Sequence, residues 1–574
     1  MKWIYAIVLA GIVSLLWFVN SLSIKELTYR EEINQYDTLS ISFQLSRSYS
    51  NPFDPGKISV TGVFMTPGNR TIQVPGFWYQ NYTRIRRENR EVLFSHDDPK
   101  WMVRFTPDEP GNYTFRITAG DRLGQATTQF LGFESLPAHS AGFVRQADSA
   151  RFIFDDNTSF VPVGQNLAWV TQSVTYDYDY YFKRMSDNGM NTARIIMAPW
   201  NLAIEWSNDR SYGTNRGFHG IGYYNLENAW KLDHILDQAE QHGIYIILCF
   251  DIYGTLRTHS GDPREMLWPY SPYNIAQGGF LETPGGYMTD ERAIALNERR
   301  LRYIMARWSH SKSILSWELF NELDITDGFN TADALAWTNA SMLHIRSIDP
   351  YSHLATVSFA EPNRMGQFWA LSDFISAHRH NLDVADTIPG LVRNLSRLGK
   401  PVLISEFGLG NSSRYEIQDT GGSNLHRAIW SSVFSGAAGS AMPWWWDEYI
   451  EPLDMYYHFS ILASFLNSPH GLQTMPINCS CPDGIRAYSL AANGTIYIWV
   501  ENTNNTWNSP DGSAVSGVTL KTVIAGNKIY KADVWDTYTG ESEQLDMAII
   551  AGRITVPEFQ KDTAIKIYNG AKSS

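Results

Sequence analysis

Two stretches of the chain decide its fold: Trp317-Glu318-Leu319-Phe320-Asn321-Glu322 and Ile404-Ser405-Glu406-Phe407-Gly408. Each places a carboxylate at the end of an apolar run that is typical of a buried strand. The interval between Glu322 and Glu406 corresponds to about three repeats of roughly 28 residues, close to one strand–helix unit of an eight-stranded barrel of about 250 residues. We therefore expect the two carboxylates on strands three apart, at the strand ends where such barrels carry their active sites.

Apolar runs alternate with helical patterns on both sides of this pair. The strand candidates are Phe160–Val163, Thr192–Met197, Ile244–Phe250, Ile314–Phe320, Leu354–Phe359, Phe374–Ala377, Val402–Ser405 and Ala438–Pro443. Helical patterns include Trp230–His242 and Ala293–Ser309. Eight strand candidates predict a (β/α)8 TIM barrel over residues 142–470. An open doubly wound sheet is the alternative, but no glycine-rich phosphate loop follows the first strand.

Short alternating strands precede and follow the barrel region. Ile41–Leu45, Trp101–Phe105 and Tyr113–Ile117 show a period of two, which predicts an N-terminal β-sandwich over residues 24–137. The same alternation in Thr495–Val500 and Ala564–Tyr568 predicts a C-terminal β-sandwich over residues 471–574. For both sandwiches, a structural role is expected rather than glycan binding.

The composition restricts the partners and the compartment. A net charge of −13 and a pI of about 5.6 argue against a nucleic-acid-binding surface. An apolar run, Trp3–Val19, follows Lys2 and precedes the small residues Ser21 and Ser23, so residues 1–23 are predicted to be a signal peptide, with an uncleaved membrane anchor as the alternative. Asn-X-Ser/Thr sequons such as that at Asn69 agree with a secreted or cell-surface protein.

Three cysteines are too few for a disulfide framework. Cys249 lies in an apolar run and is interpreted as a small core residue. Cys479 and Cys481 are two positions apart, a spacing that permits only a tight bridge or a binding role, and the pattern does not choose between them.

Two carboxylates that face one cleft can hydrolyse a glycosidic bond, because one donates a proton while the other attacks or activates water. Glutamates are most often exposed or paired on the surface, so neither motif alone would carry this interpretation. The amide of Asn321 can bond a sugar hydroxyl beside Glu322. Glu318 lies four residues earlier, deeper in the strand, where an ion pair is expected.

These motifs resemble the retaining glycoside hydrolases of the large (β/α)8 clan that contains the family 5 cellulases and mannanases. In that clan an Asn-Glu pair ends strand four and a Glu ends strand seven, as Asn321-Glu322 and Glu406 do here. The resemblance implies that Glu406 is the nucleophile and Glu322 the acid/base. It also implies that Arg194, in Gly189-Met190-Asn191-Thr192-Ala193-Arg194, holds the nucleophile. The leading β-rich region resembles the accessory domain of uncharacterised secreted cellulase-like enzymes.

The aromatic residue that closes strand eight in the clan corresponds to a position within Trp444-Trp445-Trp446, and Trp446 is predicted to serve there. Two other positions depart from the clan. Strand six usually ends His-x-Tyr, whereas this chain has His378-Arg379-His380, so a residue that can carry charge would face the nucleophile. Strand three often ends in histidine, whereas this chain has Asp251-Ile252-Tyr253. The His-x-His pair also permits a metal-dependent hydrolase, although that pair is typically on the first strand.

Aromatic residues in the long loops after strands two and three suit an open groove, since the apolar faces of sugar rings stack on aromatic rings. Trp200 and Tyr253 are the predicted groove residues, and Asp251 a predicted hydroxyl contact. We therefore expect a secreted retaining endo-β-glycosidase that acts on β-glucan or β-mannan without a cofactor or metal. The alternatives are a non-catalytic glycan-binding protein on the same fold and a metal-dependent barrel hydrolase.

Overall fold

The structure is a computed structural model that describes residues 21–206, 220–410, 412–466, 473–474, 481, 483–492, 494–510, 512–521 and 527–568. All but the last three residues of the predicted signal or anchor segment lie outside the described residues, as does Cys479. Across the described ranges, no helix combines the length and the apolar character needed to cross a membrane.

The N-terminal region is built from two larger sheets and a separate hairpin. Its strands are Ile24–Thr28 (β1), Glu32–Asn34 (β2), Leu39–Leu45 (β3), Ile58–Met65 (β4), Thr71–Pro75 (β5), Phe77–Tyr79 (β6), Tyr82–Arg87 (β7), Arg90–Ser95 (β8), Lys100–Phe105 (β9), Gly111–Asp121 (β10), Gly124–Thr127 (β11) and Leu131–Leu136 (β12). The hairpin consists of β7 and β8, and the larger sheets have the orders β1-β3-β9-β6 and β2-β12-β10-β4-β5. They share one core, in which Phe64 of one sheet stacks on Phe105 of the other with ring centroids 4.0 Å apart. The assignment of this region as a β-sandwich domain stays a prediction.

A three-stranded antiparallel sheet, Val144–Gln146 (β13), Phe152–Phe154 (β14) and Ser159–Phe160 (β15), leads into the parallel strands. These are Gly164–Asn166 (β16), Thr192–Ile196 (β17), Tyr245–Cys249 (β18), Ile314–Glu318 (β19), Leu354–Thr356 (β20), Ser358–Phe359 (β21), Ile375–His380 (β22) and Val402–Gly408 (β23). β16 to β20 form one parallel sheet, and β21 to β23 form another. Nearly all positions of these strands are buried, as in parallel strands covered on both faces, and the buried positions include polar residues such as Arg194 and Glu318.

Helices separate the parallel strands. They are Thr175–Asp187 (α1), Leu226–His242 (α2), Gly286–Thr289 (α3), Glu291–Trp308 (α4), Thr331–Ile348 (α5), Gly366–Leu371 (α6), Val384–Ser396 (α7), Ser413–Glu416 (α8), Ser423–Phe434 (α9) and Tyr456–Leu466 (α10). The predicted helices Trp230–His242 and Ala293–Ser309 are confirmed as parts of α2 and α4. Their starts are set by side-chain caps: Asn225 accepts hydrogen bonds from the second and third N–H groups of α2, and Asp290 does so for α4.

Three of the eight predicted strands differ in detail from the structure. The predicted strand Leu354–Phe359 is divided into β20 and β21, which belong to different sheets. Phe160 pairs antiparallel in β15, so the first parallel strand begins at Gly164. The segment Ala438–Pro443 is not a continuous strand but makes single hydrogen bonds, such as that from the Met442 N–H to the Ile404 carbonyl (2.9 Å). Pro162 and Pro443 lack an N–H, which interrupts a regular ladder at both places. The alternation of parallel strands and helices is present, and closure into a complete barrel stays a prediction.

The C-terminal region returns to antiparallel pairing. Its strands are Gln473–Thr474 (β24), Ile485–Ala492 (β25), Thr495–Asn502 (β26), Thr519–Lys521 (β27), Lys528–Trp535 (β28), Ser542–Ile549 (β29), Arg553–Thr555 (β30) and Asp562–Tyr568 (β31). One sheet has the order β24-β25-β26-β31-β28-β29, and β27 pairs with β30. Residues of both sheets, including Ile498 and Ile554, share a core. The β-rich character predicted here is confirmed, whereas the domain boundary stays a prediction.

Candidate active site

The two predicted carboxylates reach the site in different ways. Glu406 lies within β23, two residues before its end. Glu322 was predicted to continue a strand from Ile314, but β19 ends at Glu318 and Glu322 has a φ of 51° and a ψ of 56°. This left-handed conformation is uncommon for a residue with a side chain and is found where the surroundings constrain the backbone. The Glu322 N–H donates to the Ser358 hydroxyl at the end of the neighbouring β21 (3.2 Å).

Glu322 and Glu406 converge on one place. His378 Nδ1 lies 3.0 Å from Glu322 Oε1 and 3.5 Å from Glu406 Oε2. One oxygen of Glu322, one oxygen of Glu406 and one ring nitrogen of His380 all lie within 4.8 Å of one another. Both carboxylates are largely buried. The convergence of the two carboxylates, on which the sequence hypothesis depends, is therefore present.

Arg194 connects the nucleophile candidate to the interior. Its guanidinium donates two hydrogen bonds to Glu318, both 2.7 Å, and one to Glu406 Oε2 (2.9 Å). All of Arg194 is buried, as is Glu318. The ion pair predicted for Glu318 is confirmed, and the structure places Arg194 where the resemblance implied.

The amide oxygen of Asn321 accepts a hydrogen bond from Arg194 Nη2 (2.6 Å). This bond orients the side chain, so its NH2 group is the end that can donate to a ligand. Asn166, at the end of β16, was missed from the sequence. Its oxygen accepts from Arg194 (3.0 Å) and its nitrogen donates to the Ser405 carbonyl (2.9 Å), which connects β16 to β23. A polar residue ending a buried run was the only signal for it.

The electrostatics of the site favour a charged Glu406. Burial by itself would raise the pKa of this carboxyl. The charge of His378, the hydrogen bond and charge of His380, and the charge of Arg194 outweigh burial and lower the pKa of Glu406 to about 2. Glu406 is therefore ionised at every ordinary working pH, as a nucleophile must be.

His380 stands beside Glu406 where the clan has a tyrosine. Its Nε2 lies 2.9 Å from Glu406 Oε1 and its Nδ1 3.3 Å from the Gly410 carbonyl oxygen. Both partners are acceptors, and only the doubly protonated imidazolium can donate to both. Burial lowers the pKa of His380, but the hydrogen bond and charge of Glu406 outweigh it, so the net shift of that pKa is upward.

Gly408 makes room for two rings beside the nucleophile candidate. It is the last residue of β23 and has no positive φ. A Cβ at this position would lie 3.0 Å from His380 Nδ1 and 3.2 Å from Trp445 Nε1. The absent side chain therefore lets the histidine and tryptophan rings approach the strand closely.

The predicted aromatic residues divide into buried and half-buried ones. Trp446 is buried, and its ring packs edge-to-face on those of Trp169 and Trp444. Trp200 is also buried and packs on Trp169, 5.1 Å between centroids. Trp446 and Trp200 thus pack against other tryptophan rings. Trp169, Trp444 and Trp445 are half-buried and keep some exposed surface. Which tryptophan of the run 444–446 faces the cleft could not be read from the sequence.

Asp251 and Tyr253 follow β18. Asp251 is buried and paired with Arg300, whose Nη1 donates to Oδ1 (3.0 Å) and whose Nη2 donates to Oδ2 (2.5 Å). Asp251 also accepts from the Tyr287 hydroxyl. Because Arg300 and Tyr287 already bind the Asp251 carboxylate, Asp251 has less capacity to bind a sugar hydroxyl than the sequence predicted. Tyr253 is half-buried and donates to Glu265 (2.6 Å). Burial, this hydrogen bond and the negative charges of Glu322 and Glu406 raise the pKa of Tyr253, so its hydroxyl stays protonated beside the carboxylates.

Among the described residues, the group Glu322, His380 and Glu406 has the spacing of a metal-ligand set. Two carboxylates and an imidazole are suitable donors. A cation there would have to replace the hydrogen bond between His380 and Glu406. The prediction that the site works without a metal therefore stays a prediction that chelation can test.

Replacing Arg194 with methionine is expected to destabilise the fold by about 3–5 kcal/mol, because Glu318 would remain buried and charged without its partner. Chemical denaturation followed by tryptophan fluorescence measures the loss. Substituting Glu318→Met in the same protein should restore part of it, since two apolar side chains leave no unpaired charge. The exposed Arg364→Met is the control. An unchanged unfolding midpoint for Arg194→Met would contradict the prediction.

Comparison with known proteins places this geometry in context. Residues 32–120 match a domain family described as a domain of unknown function (DUF5060). The chain is 25% identical over 237 residues to mannan endo-1,4-beta-mannosidase F of Aspergillus clavatus, a match that covers 39% of this chain and 48% of the relative. It is 22% identical over 339 residues to mannan endo-1,4-beta-mannosidase 5 of Arabidopsis thaliana, covering 52% and 75%. The chain spans about half the length of the first curated relatives it matches.

The fold is similar to that of a solved structure from Bacteroides vulgatus ATCC 8482, which is named as a proposed glycoside hydrolase. The two share 17% identity with a TM-score of 0.61, and the alignment covers 94% of this chain and all of the other. At that identity the likeness concerns the fold alone. Together, these relatives confirm the resemblance to the barrel glycosidases that the motifs predicted.

Proposed function

We propose that this chain, similar in sequence to mannan endo-1,4-β-mannosidases, is a retaining endo-β-glycosidase that hydrolyses a β-linked polysaccharide by double displacement. Glu406 attacks the anomeric carbon while Glu322 protonates the leaving oxygen. Water, deprotonated by Glu322, then releases the sugar from Glu406. A β-1,4-mannan is the first candidate substrate because of the relatives' names, and a β-glucan is the second.

The separation of the carboxylates carries the proposal. Retaining glycosidases hold the two groups about 5–5.5 Å apart, whereas inverting enzymes leave about 6.5–9.5 Å for a water molecule. An oxygen of Glu322 and an oxygen of Glu406 lie within 4.8 Å of each other here. This distance supports direct attack by a carboxylate rather than attack by an interposed water.

The surroundings support the assignment of the two roles. Glu406 receives hydrogen bonds from Arg194 and His380, and its lowered pKa keeps it ionised. Glu322 makes its side-chain hydrogen bond to His378 instead. Two carboxylates in unlike environments are the usual arrangement of a nucleophile and a proton donor.

The domain organisation and location belong to the same proposal. We propose a signal peptide or anchor at residues 1–23, an accessory β-sandwich at 24–137, a catalytic (β/α)8 barrel at 142–470 and a β-sandwich at 471–574. A polysaccharide outside the cell requires a secreted or surface-anchored enzyme, which the leading apolar run and the sequons support. The acidic chain is not expected to bind nucleic acid.

A screen of the purified protein against soluble β-1,4-mannan, galactomannan, β-1,4-glucan and β-1,3-glucan, with sizing of the products, tests the proposal. Release of short oligosaccharides from the mannans is expected. Binding without cleavage of any polymer would favour the non-catalytic alternative. Loss of cleavage after treatment with a chelator, restored by a divalent cation, would favour the metal-dependent alternative.

Replacing His380 with tyrosine is expected to move the alkaline limb of the pH profile of kcat/KM upward by about one pH unit. In the unmodified protein the histidine loses its proton as the pH rises through its raised pKa, and with it a hydrogen bond to Glu406 or to Gly410. A tyrosine stays protonated over that range. The exposed His139→Tyr is the control. Superimposable profiles for His380→Tyr and the unmodified protein would contradict the prediction.

A further inference from the structure

Trp507, in the C-terminal region, contacts the segments that follow two strands of the candidate active site, β22 and β23. Its Nε1 donates a hydrogen bond to the Leu382 carbonyl (3.2 Å), just after β22. Its ring lies 6.3 Å from that of Tyr415, in α8 after β23, at an angle of 70°. Because β22 carries His380 and β23 carries Glu406, Trp507 is placed at the rim of the proposed cleft.

A short series of contacts connects Glu406, the nucleophile candidate, to Trp507. His380 bridges Glu406 and the carbonyl oxygen of Gly410. A Cβ at Gly410 would lie 3.6 Å from the Tyr415 ring and 3.8 Å from the Leu382 side chain. Trp507 contacts both of these residues. One histidine and one glycine thus separate Glu406 from the pair of rings.

Two aromatic rings lie beside the glycines at the end of β23 and just after it. Trp445 Nε1 lies near Gly408, and Tyr415 lies beside Gly410. The two glycines are two residues apart in the chain, so their Cα atoms are at most about 7 Å apart. Trp445, Tyr415 and Trp507 are all half-buried, so each retains some exposed surface. They form an outer aromatic row, defined here as these three residues.

Buried contacts hold the C-terminal region in place. Arg427 of α9 pairs with Glu501 of β26 (2.9 Å) and with Asp386 of α7 (2.6 Å). The Trp430 ring of α9 stacks on Trp499 of β26, with centroids 6.1 Å apart. β26 ends only a few residues before Trp507. Such packing preorganises the tryptophan, which lowers the cost of binding a ligand.

We propose that Tyr415 and Trp507 form a sugar-binding subsite for a polysaccharide chain, beyond the sugar units at the cleaved bond, so that the C-terminal region contributes to substrate binding. This inference rests on the proposed function of the cleft. Aromatic rings offer apolar area to the C–H faces of sugars. The exposed Leu382 adds apolar surface, and the Arg414 guanidinium, 4.6 Å from the Tyr415 ring centroid, adds hydrogen-bond donors for hydroxyl groups.

The occupant is a polysaccharide rather than a second protein because the row is continuous with the site of the two carboxylates. A polymer held at Glu406 must leave the cleft across one of its rims. The rim at β22 and β23 presents the outer aromatic row to it. The competing interpretation is that Trp507 only anchors the C-terminal region through its Nε1 hydrogen bond.

Affinity electrophoresis tests the subsite on the full chain carrying Glu406→Gln, so that binding is measured without cleavage. The gels contain soluble galactomannan or hydroxyethylcellulose. We expect Trp507→Ala and Tyr415→Ala each to weaken binding of the polymer that retards the Glu406→Gln protein by about tenfold. This is the upper end of the contribution expected from one aromatic contact. Trp507→Phe, which keeps a ring but loses the Nε1 donor, should stay within about threefold of the parent. Phe130→Ala, an exposed aromatic of the N-terminal region, is the matched control.

Equal retardation of Trp507→Ala and the parent would overturn the proposal. A Glu406→Gln protein that neither polymer retards would also overturn it. So would a Trp507→Phe variant that loses as much binding as Trp507→Ala and has a lowered thermal midpoint, because Trp507 would then only anchor the C-terminal region. In a Glu406-intact protein, the ratio of kcat/KM on polymer to that on an aryl glycoside should fall about tenfold for Trp507→Ala. If the protein with Glu406 intact cleaves no polymer, while Trp507→Ala still weakens retardation of the Glu406→Gln protein, the hydrolase is overturned and the subsite is still supported.

Discussion

Replacement of Glu406 by alanine is expected to lower kcat on polysaccharide by roughly 10⁴–10⁶-fold, the range found when a covalent nucleophile is removed. The carboxylate is ionised, buried and held by Arg194 and His380, so no neighbouring group can take its place. Activity should be measured by release of reducing ends from the polymer that the unmodified enzyme cleaves best.

Azide provides the decisive measurement for Glu406→Ala. The small anion fits the space that the side chain vacates and attacks the anomeric carbon from that face. A single displacement then replaces two, so the glycosyl azide has the anomeric configuration opposite to that of the substrate. The exposed Glu361→Ala, after β21 at the same end of the strands, is the control. Undiminished turnover by Glu406→Ala would refute the assignment of the nucleophile.

Replacement of Glu322 by alanine is expected to lower kcat on polysaccharide by about 10²–10⁴-fold, the contribution of a positioned acid/base group. The loss should be smaller for an aryl glycoside whose phenolate leaves without a proton, because only the second step then lacks its base. Comparison of the two substrates separates an acid/base role from a general loss of structure.

Azide distinguishes the two glutamates, because the two alanine variants are expected to give glycosyl azides of opposite anomeric configuration. In Glu322→Ala the covalent sugar on Glu406 still forms, and azide replaces water in the second displacement. Two displacements preserve the anomeric configuration, in contrast to the product of Glu406→Ala. Products of the same configuration from both variants would contradict the assigned pair of roles.

Local patterns predicted the parts of the site that depend on neighbours in sequence. Apolar runs predicted both carboxylates at strand ends; Glu406 lies near the end of β23, whereas Glu322 lies four residues beyond the end of β19. Glu318 was predicted to be paired because of its depth in the same run, and the structure confirms its bonds to Arg194. Strands and helices bury stripes of fixed period, so these assignments can be made without knowing what packs against them.

Long-range placement accounts for what the patterns missed. Two hydrogen bonds join residues from separate segments: the Glu322 N–H donates to Ser358 of β21, and Arg194 of β17 donates to the Asn166 side-chain oxygen of β16. The contact of Trp507 with Tyr415 brings the C-terminal region to the rim of the cleft. No short-range period records such encounters.

The sequence by itself determined the alternation of parallel strands and helices, and it predicted Glu322 and Glu406 as the two candidate carboxylates. Only the tertiary structure decided that His378 stands between them, that Gly408 makes room for His380 and Trp445, and that Trp446 is buried. The physical reason is that periodicity is a property of one segment, whereas the distance between side chains of different strands is set by packing of the whole fold.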